Sequence, residues 1–89
     1  MAKSRLLFSE HGLDRLLDWD VTEEQVEVVL AGGETVEEYE DGLRLMLGWS
    51  GPRPIHVVVA DRAAASIVIT VYEPDPTRWD AAFRERMRK

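Results

Sequence analysis

The stretch Ser66-Ile-Val-Ile-Thr-Val-Tyr-Glu-Pro-Asp-Pro76 decides how the rest of the chain reads. Seven residues that fit a pleated, packed surface run from Ser66 to Tyr72, and Pro74 and Pro76 then stop the run. Such a run predicts a strand, because β-branched and aromatic side chains pack well on a sheet and proline cannot continue its ladder. Successive strand side chains point to opposite faces. Ile67, Ile69 and Val71 therefore read as a core face, and Ser66, Val68, Thr70 and Tyr72 as the face that carries the hydroxyls.

Working backwards, Ile55–Ala60 predicts the preceding strand, with Ser50-Gly51-Pro52-Arg53-Pro54 as a loop before it. Leu43–Trp49 alternates apolar and other residues, and Asp41-Gly42 is a hairpin turn signal. Glu34–Tyr39 is acidic and reads as an edge strand, where charge blocks unwanted pairing. Setting Ala60 opposite Ser66 brings Val59 to Ile67, Val57 to Ile69, Ile55 to Val71 and His56 to Thr70, with Tyr72 near Pro54. Setting Trp49 opposite Ile55 keeps Leu45 and Leu47 on the same aliphatic face. This register leaves Arg44, His56, Thr70 and Tyr72 together on the other face.

Towards the N-terminus, Arg5–Phe8 reads as a short first edge strand or an extended lead-in. Ser9 suits the N-cap of a helix over Glu10–Asp18, with Leu13, Leu16 and Leu17 as its buried stripe and His11 and Arg15 sharing another face. Thr22 and Gln25 form a capping box for a second helix, which presents Val26, Val29 and Leu30 and stops at Gly32-Gly33. After Pro76, Thr77 is placed to cap a last helix whose core stripe is Trp79, Ala82, Phe83 and Met87. The expected fold is one α+β domain over residues 1–89. Two N-terminal helices pack on a four-stranded antiparallel meander, and a C-terminal helix follows.

At 89 residues the chain is long enough for one modest core, and a 45% hydrophobic content fits an ordered domain. No apolar run reaches the roughly 18 residues that cross a bilayer, and the first residues lack a signal-peptide pattern, so a cytoplasmic location is expected. The absence of cysteine excludes disulfides and thiolate zinc sites. The net charge of −6 is uneven: residues 1–52 carry four basic and twelve acidic side chains, residues 53–89 seven and five. Bulk acidity argues against a general nucleic-acid coat. Two histidines far apart give no metal-ligand spacing, and neither a phosphate-binding glycine loop nor a serine nucleophile elbow is present, so no cofactor is expected.

Several segments together resemble a known family. They are Phe8-Ser-Glu-His-Gly-Leu-Asp-Arg15, Val21-Thr-Glu-Glu-Gln-Val26, Glu37-Glu-Tyr39, Arg53-Pro-Ile-His-Val-Val-Val-Ala60 and Val68-Ile-Thr-Val-Tyr-Glu-Pro-Asp75, followed by Trp79 and Phe83-Arg84. They are similar to a bacterial family of small domains of unknown function often encoded beside a zinc-finger antitoxin-like protein. In that family's opening motif Gly12 stands where alanine is usual. The resemblance implies a fold like that of the RelE/ParE toxin superfamily, some members of which are metal-independent ribonucleases that work from an open sheet face. It also implies an antitoxin-like protein as partner and RNA as substrate.

Such a ribonuclease needs a base for the 2′-hydroxyl, an acid for the leaving oxygen and a cation for the phosphorane. His56 and His11 are the acid/base candidates because histidine titrates near neutrality. Tyr72 and Thr70 complete the candidate catalytic face. Arg15, Arg44, Arg53 and Arg84 are the candidate phosphate-binding residues, since guanidinium binds phosphate bidentately. The alternative expectation is a non-catalytic protein-binding module, a homodimer in the simplest case, with no membrane association.

Overall fold

The computed structural model describes residues 5–87. Its elements are β1 (Arg5–Phe8), α1 (Glu10–Trp19), α2 (Glu23–Gly32), β2 (Glu34–Glu38), β3 (Leu43–Ser50), β4 (Arg53–Asp61) and β5 (Ala65–Tyr72), with a 3₁₀ turn at Glu40–Gly42 between β2 and β3. The local signals placed the two N-terminal helices well. Ser9 caps α1, its hydroxyl accepting from Gly12 N at 2.9 Å. At α2 the capping box is complete, with Thr22 Oγ1 accepting from Gln25 N and Gln25 Oε1 from Thr22 N.

The sheet corrects the expected meander. Strands β2 to β5 run antiparallel in chain order, but β1 adds alongside β5 in parallel, giving a five-stranded mixed sheet of order β1-β5-β4-β3-β2. A bulge in β5 anchors the start of α1. Val59 pairs with Val68 and Val58 with Thr70, so Ile69 is left without a partner on β4. Its carbonyl accepts from the Ser9 hydroxyl at 3.2 Å, while Val68 O accepts from Ser9 N at 2.9 Å. The helix then runs so close that a Cβ on Gly12 would lie 2.6 Å from the Val68 carbonyl oxygen. Gly12 and Leu16 are the residues of α1 buried against the sheet, which turns Leu13 and Leu17 out to solvent, away from the buried stripe expected of them.

The register differs from expectation on both sides of β4: by one residue against β3, and against β5 by two residues at His56 to Val58 and by one at Val59 and Ala60, beyond the bulge. Leu47 faces His56, Met46 faces Val57 and Arg44 faces Val59. On the other side His56 pairs with Tyr72 and Val57 with Val71. Met46, Ile55, Val57, Val59, Val68 and Val71 thus share the core with Leu16, Val21, Val26 and Val29 of the helical layer. Leu43, Leu45, Leu47 and Trp49 lie on the opposite face with His56 and Tyr72. Leu45 and Leu47 are nevertheless buried, so both faces of the sheet are covered.

No C-terminal helix covers that second face. Residues 77–87 instead fold back on themselves, with Trp79 bridged to Arg86, Asp80 N donating to Glu85 O and Met87 N to Arg78 O. Two aspartates take backbone N–H groups that a helix would need: Asp75 Oδ1 accepts from Thr77 N and Asp80 Oδ1 from Arg84 N. Phe83 closes the loop in the left-handed region, at φ 60°.

The glycines of β3 and α2 separate close packing from open helix end. A Cβ on Gly48 would stand 2.6 Å from Val29 Cγ2 and 3.0 Å from Val29 Cα, whereas one on Gly32 meets nothing within 4 Å. Gly48→Ala is expected to cost about 1–3 kcal/mol by overpacking. Gly32→Ala is expected to be neutral or to gain a few tenths, up to about 1 kcal/mol, from helix propensity. Urea titrations of both variants check the contrast.

Candidate functional site

His56 is the centre of the second face. It is fully buried, at 0% exposure, and is the one buried polar residue among the described residues. Its polar and aromatic neighbours come from two directions. From β5, the Tyr72 hydroxyl lies 3.2 Å from Nδ1. From the C-terminal segment, the Phe83 carbonyl oxygen lies 2.9 Å from Nε2, and the Trp79 ring stands edge-on at 4.5 Å between centroids.

These partners fix the proton. A carbonyl oxygen only accepts, so Nε2 carries the hydrogen and donates to Phe83. Nδ1 is then the acceptor for the Tyr72 O–H, and the ring is neutral with one defined tautomer. Burial holds its pKa below the ordinary value, outweighing the opposite pull of the Phe83 carbonyl. The Tyr72 hydroxyl is likewise pushed up by burial.

Around this pair the C-terminal segment is tied to β2. Arg86 lies over the Trp79 ring at 4.7 Å and holds Glu37 with both Nε (2.9 Å) and Nη2 (3.2 Å). Tyr39 donates to the same carboxylate. Burial raises the Glu37 pKa, but the hydrogen bonds from Arg86 and Tyr39 outweigh it and leave the group below the ordinary value. Arg84 makes a second tie, 2.7 Å to Glu34. Sequence reasoning missed this cluster, because it assigned Arg84 to phosphate and expected a helix after Pro76. The acidic run on β2 was the available signal, since paired carboxylates ask for cations.

The other expected site residues are dispersed. Thr70 shares the His56 face, but it pairs with Val58 rather than with His56. His11 is exposed on α1, in the layer on the far side of the sheet. Arg15 is paired with Asp18 on the same helix at 2.6 Å. Arg44 faces the helical side, bound to Asp61 at 2.7 Å and to Thr35 at 3.0 Å, which corrects its expected place beside His56. Arg53 acts as a structural tie: Nε meets Glu73 Oε2 at 2.8 Å, while the two Nη atoms donate to the carbonyls of Asp20 and Trp19 in the turn after α1. All four arginines expected to bind phosphate therefore already hold carboxylates. No group of three or more His, Asp or Glu able to hold a metal occurs among the described residues.

Exposed apolar side chains gather elsewhere. Leu13 and Leu17 stand on α1, and Val28 of α2 and Trp49 of β3 are 61% and 46% exposed. Among the described residues no helix is long and apolar enough to cross a membrane.

Residues 8–73 match the model of a family described as a domain of unknown function, DUF4258. The chain belongs to the DUF4258 family. No curated protein and no solved structure matches it. The DUF4258 match takes in His56, Tyr72, Glu37 and the Arg53 tie but ends just before Pro74, so Trp79, Phe83 and Arg86, which seal the histidine, lie beyond it.

Two outcomes follow from the sealed ring. The unfolded histidine titrates near about 6.5 and the folded one lower, so as pH falls the unfolded chain takes up the proton first. Stability is expected to be full above about pH 7 and to decline as pH drops below about 6.5 towards the folded pKa. Glu37, whose folded pKa is lowered, adds its own loss only below about 4.5. Urea midpoints from pH 5 to 8 check this, and His56→Gln should lack the upper component. Trp79→Ala is expected to cost about 3–5 kcal/mol and to bring the His56 ring into exchange with solvent, read by NMR.

Proposed function

We propose that this chain is a non-catalytic protein-binding module. The observation that carries the reading is the state of His56, which is sealed from solvent, neutral, and bonded at both ring nitrogens. A general acid or base has to reach the proton it moves, and this ring reaches only Tyr72 and Phe83. His11 stands in the other layer, and Arg15, Arg44, Arg53 and Arg84 are each engaged by a carboxylate. The same set of contacts makes good sense as scaffolding, which fixes a rigid sheet and leaves its exposed apolar side chains for a partner.

A second reading, a ribonuclease toxin of RelE/ParE type with an antitoxin-like partner, draws on one specific observation. The segment that seals His56 lies beyond the family match, and with it lifted His56 and Tyr72 would stand side by side on the sheet.

Expression of the chain in bacteria from an inducible promoter separates the two readings. The binding module is expected to leave growth rate and cellular RNA unchanged, also when Arg84→Glu and Arg86→Glu loosen the C-terminal segment. Growth arrest with cleaved RNA, relieved by His56→Gln, overturns it in favour of the ribonuclease.

A further inference from the structure

Val28 and Trp49, both exposed, each line two clefts, one of about 370 Å³ and one of about 240 Å³. The first lies between the end of α2 and β3, where Gly33 and Gly48 form a floor without side chains and Arg84 forms a wall. The second continues past Trp49 to Gln25 and Ser50. Sharing the same two apolar residues, the clefts make one elongated groove.

The groove is held in shape before anything enters it. Trp49 is braced edge-on by Phe83, with ring centroids 5.9 Å apart, and the Gln25 amide donates to Ser50 Oγ at 2.8 Å at the far end. A fixed aromatic anchor loses little freedom on binding, and such anchors dominate interface energies.

Charge selects the occupant. Glu24 stands at one end of the groove and Glu34 at the other, and the single cation lining it among the described residues, Arg84, is already paired with Glu34 at 2.7 Å. The helix of the helical layer that lines it, α2, carries Glu23, Glu24 and Glu27 and no basic side chain. A nucleic acid, or the same layer of a second copy, would bring like charge to this surface. We propose that the groove between α2 and β3 is the docking site for a partner protein segment bearing an apolar side chain flanked by lysine or arginine. The apolar side chain lies between Val28 and Trp49, and the cations meet Glu24 and the acidic helical layer. This proposal rests on the binding-module reading and names the partner class.

The test is an NMR titration of the ¹⁵N-labelled chain with a capped peptide of alternating lysine and leucine, beside a glutamate–leucine counterpart. Saturable shifts are expected at the Trp49 indole and at the amides of Val28, Gly33 and Gly48, weakening as salt is raised through the range that shortens screening below about 10 Å. Glu24→Lys and Val28→Lys, both on the exposed side of α2, are expected to weaken binding at least about tenfold, which corresponds to about 1.4 kcal/mol. Val28→Lys also keeps the test valid should Trp49→Ala loosen the Phe83 contact. The proposal is overturned if no saturable shift occurs, if the glutamate peptide binds equally well, if Val28→Lys binds unchanged, or if the shifts centre on Leu13 and Leu17. The last result leaves the binding-module reading standing and moves the site; only growth arrest with RNA cleavage removes that reading itself.

Discussion

Water has to be kept from both faces of the central strands, and the chain has only one layer of helices with which to do it. β4 is aliphatic in both phases: Ile55, Val57 and Val59 point one way, and Val58 and Ala60 the other, with His56 among them. The helices cover the first face. The second is covered by residues beyond β5, hung on Trp79 and tied down by Arg84 and Arg86. Once that segment lies there, His56 is enclosed, its proton is assigned to Nε2, and the carboxylates of β2 have their partners. The acidity of β2 is thus half of a clasp as well as a guard on an edge.

Local physics was legible in the chain, and the pairing between distant parts was only partly so. Helix starts are set within a few residues by side chains such as Ser9, Thr22 and Gln25, so the caps read directly from the sequence. Register is set by which face is apolar, and that rule loses force when both faces are. With Leu43, Leu45, Leu47 and Trp49 able to pack on either side, a one-residue slip in β3 carries little hydrophobic penalty, and Arg44 moves to the helical side with Met46. The bulge at Ile69 has no mark in a run of β-branched residues. Nor did periodicity distinguish a helix from a folded-back segment over residues 77–87. Trp79 and Phe83 are spaced four apart in both, and the decision fell to Asp75, Asp80 and the uncovered sheet. That His56 and Tyr72 share a face was visible from strand alternation, while their direct pairing and their enclosure were not.

The uneven charge along the chain acquires a spatial meaning. In the basic C-terminal half, Arg53, Arg84 and Arg86 are taken up by Glu73, Glu34 and Glu37. The acidic half keeps its surplus in the helical layer, where Arg15 answers only Asp18. The helical layer therefore offers acidic side chains with exposed apolar ones, Leu13, Leu17 and Val28, set among them. The charged contacts that sequence reading assigned to a ligand instead hold strand to strand and segment to sheet.

The parallel pairing of β1 with β5 also orders events in time. Arg5 lies opposite Ala65, and the contact between Ser9 and Ile69 spans 60 residues. During synthesis the first strand has no mate until the last one emerges, so α1 cannot take its final seat while the hairpins of β2 to β4 are already free to form. Closing so long a loop is the slow part of folding a small mixed sheet. Residues 77–87, which cover the histidine face, follow all five strands in the chain. The edge strand made first is thus seated late, against the strand made last.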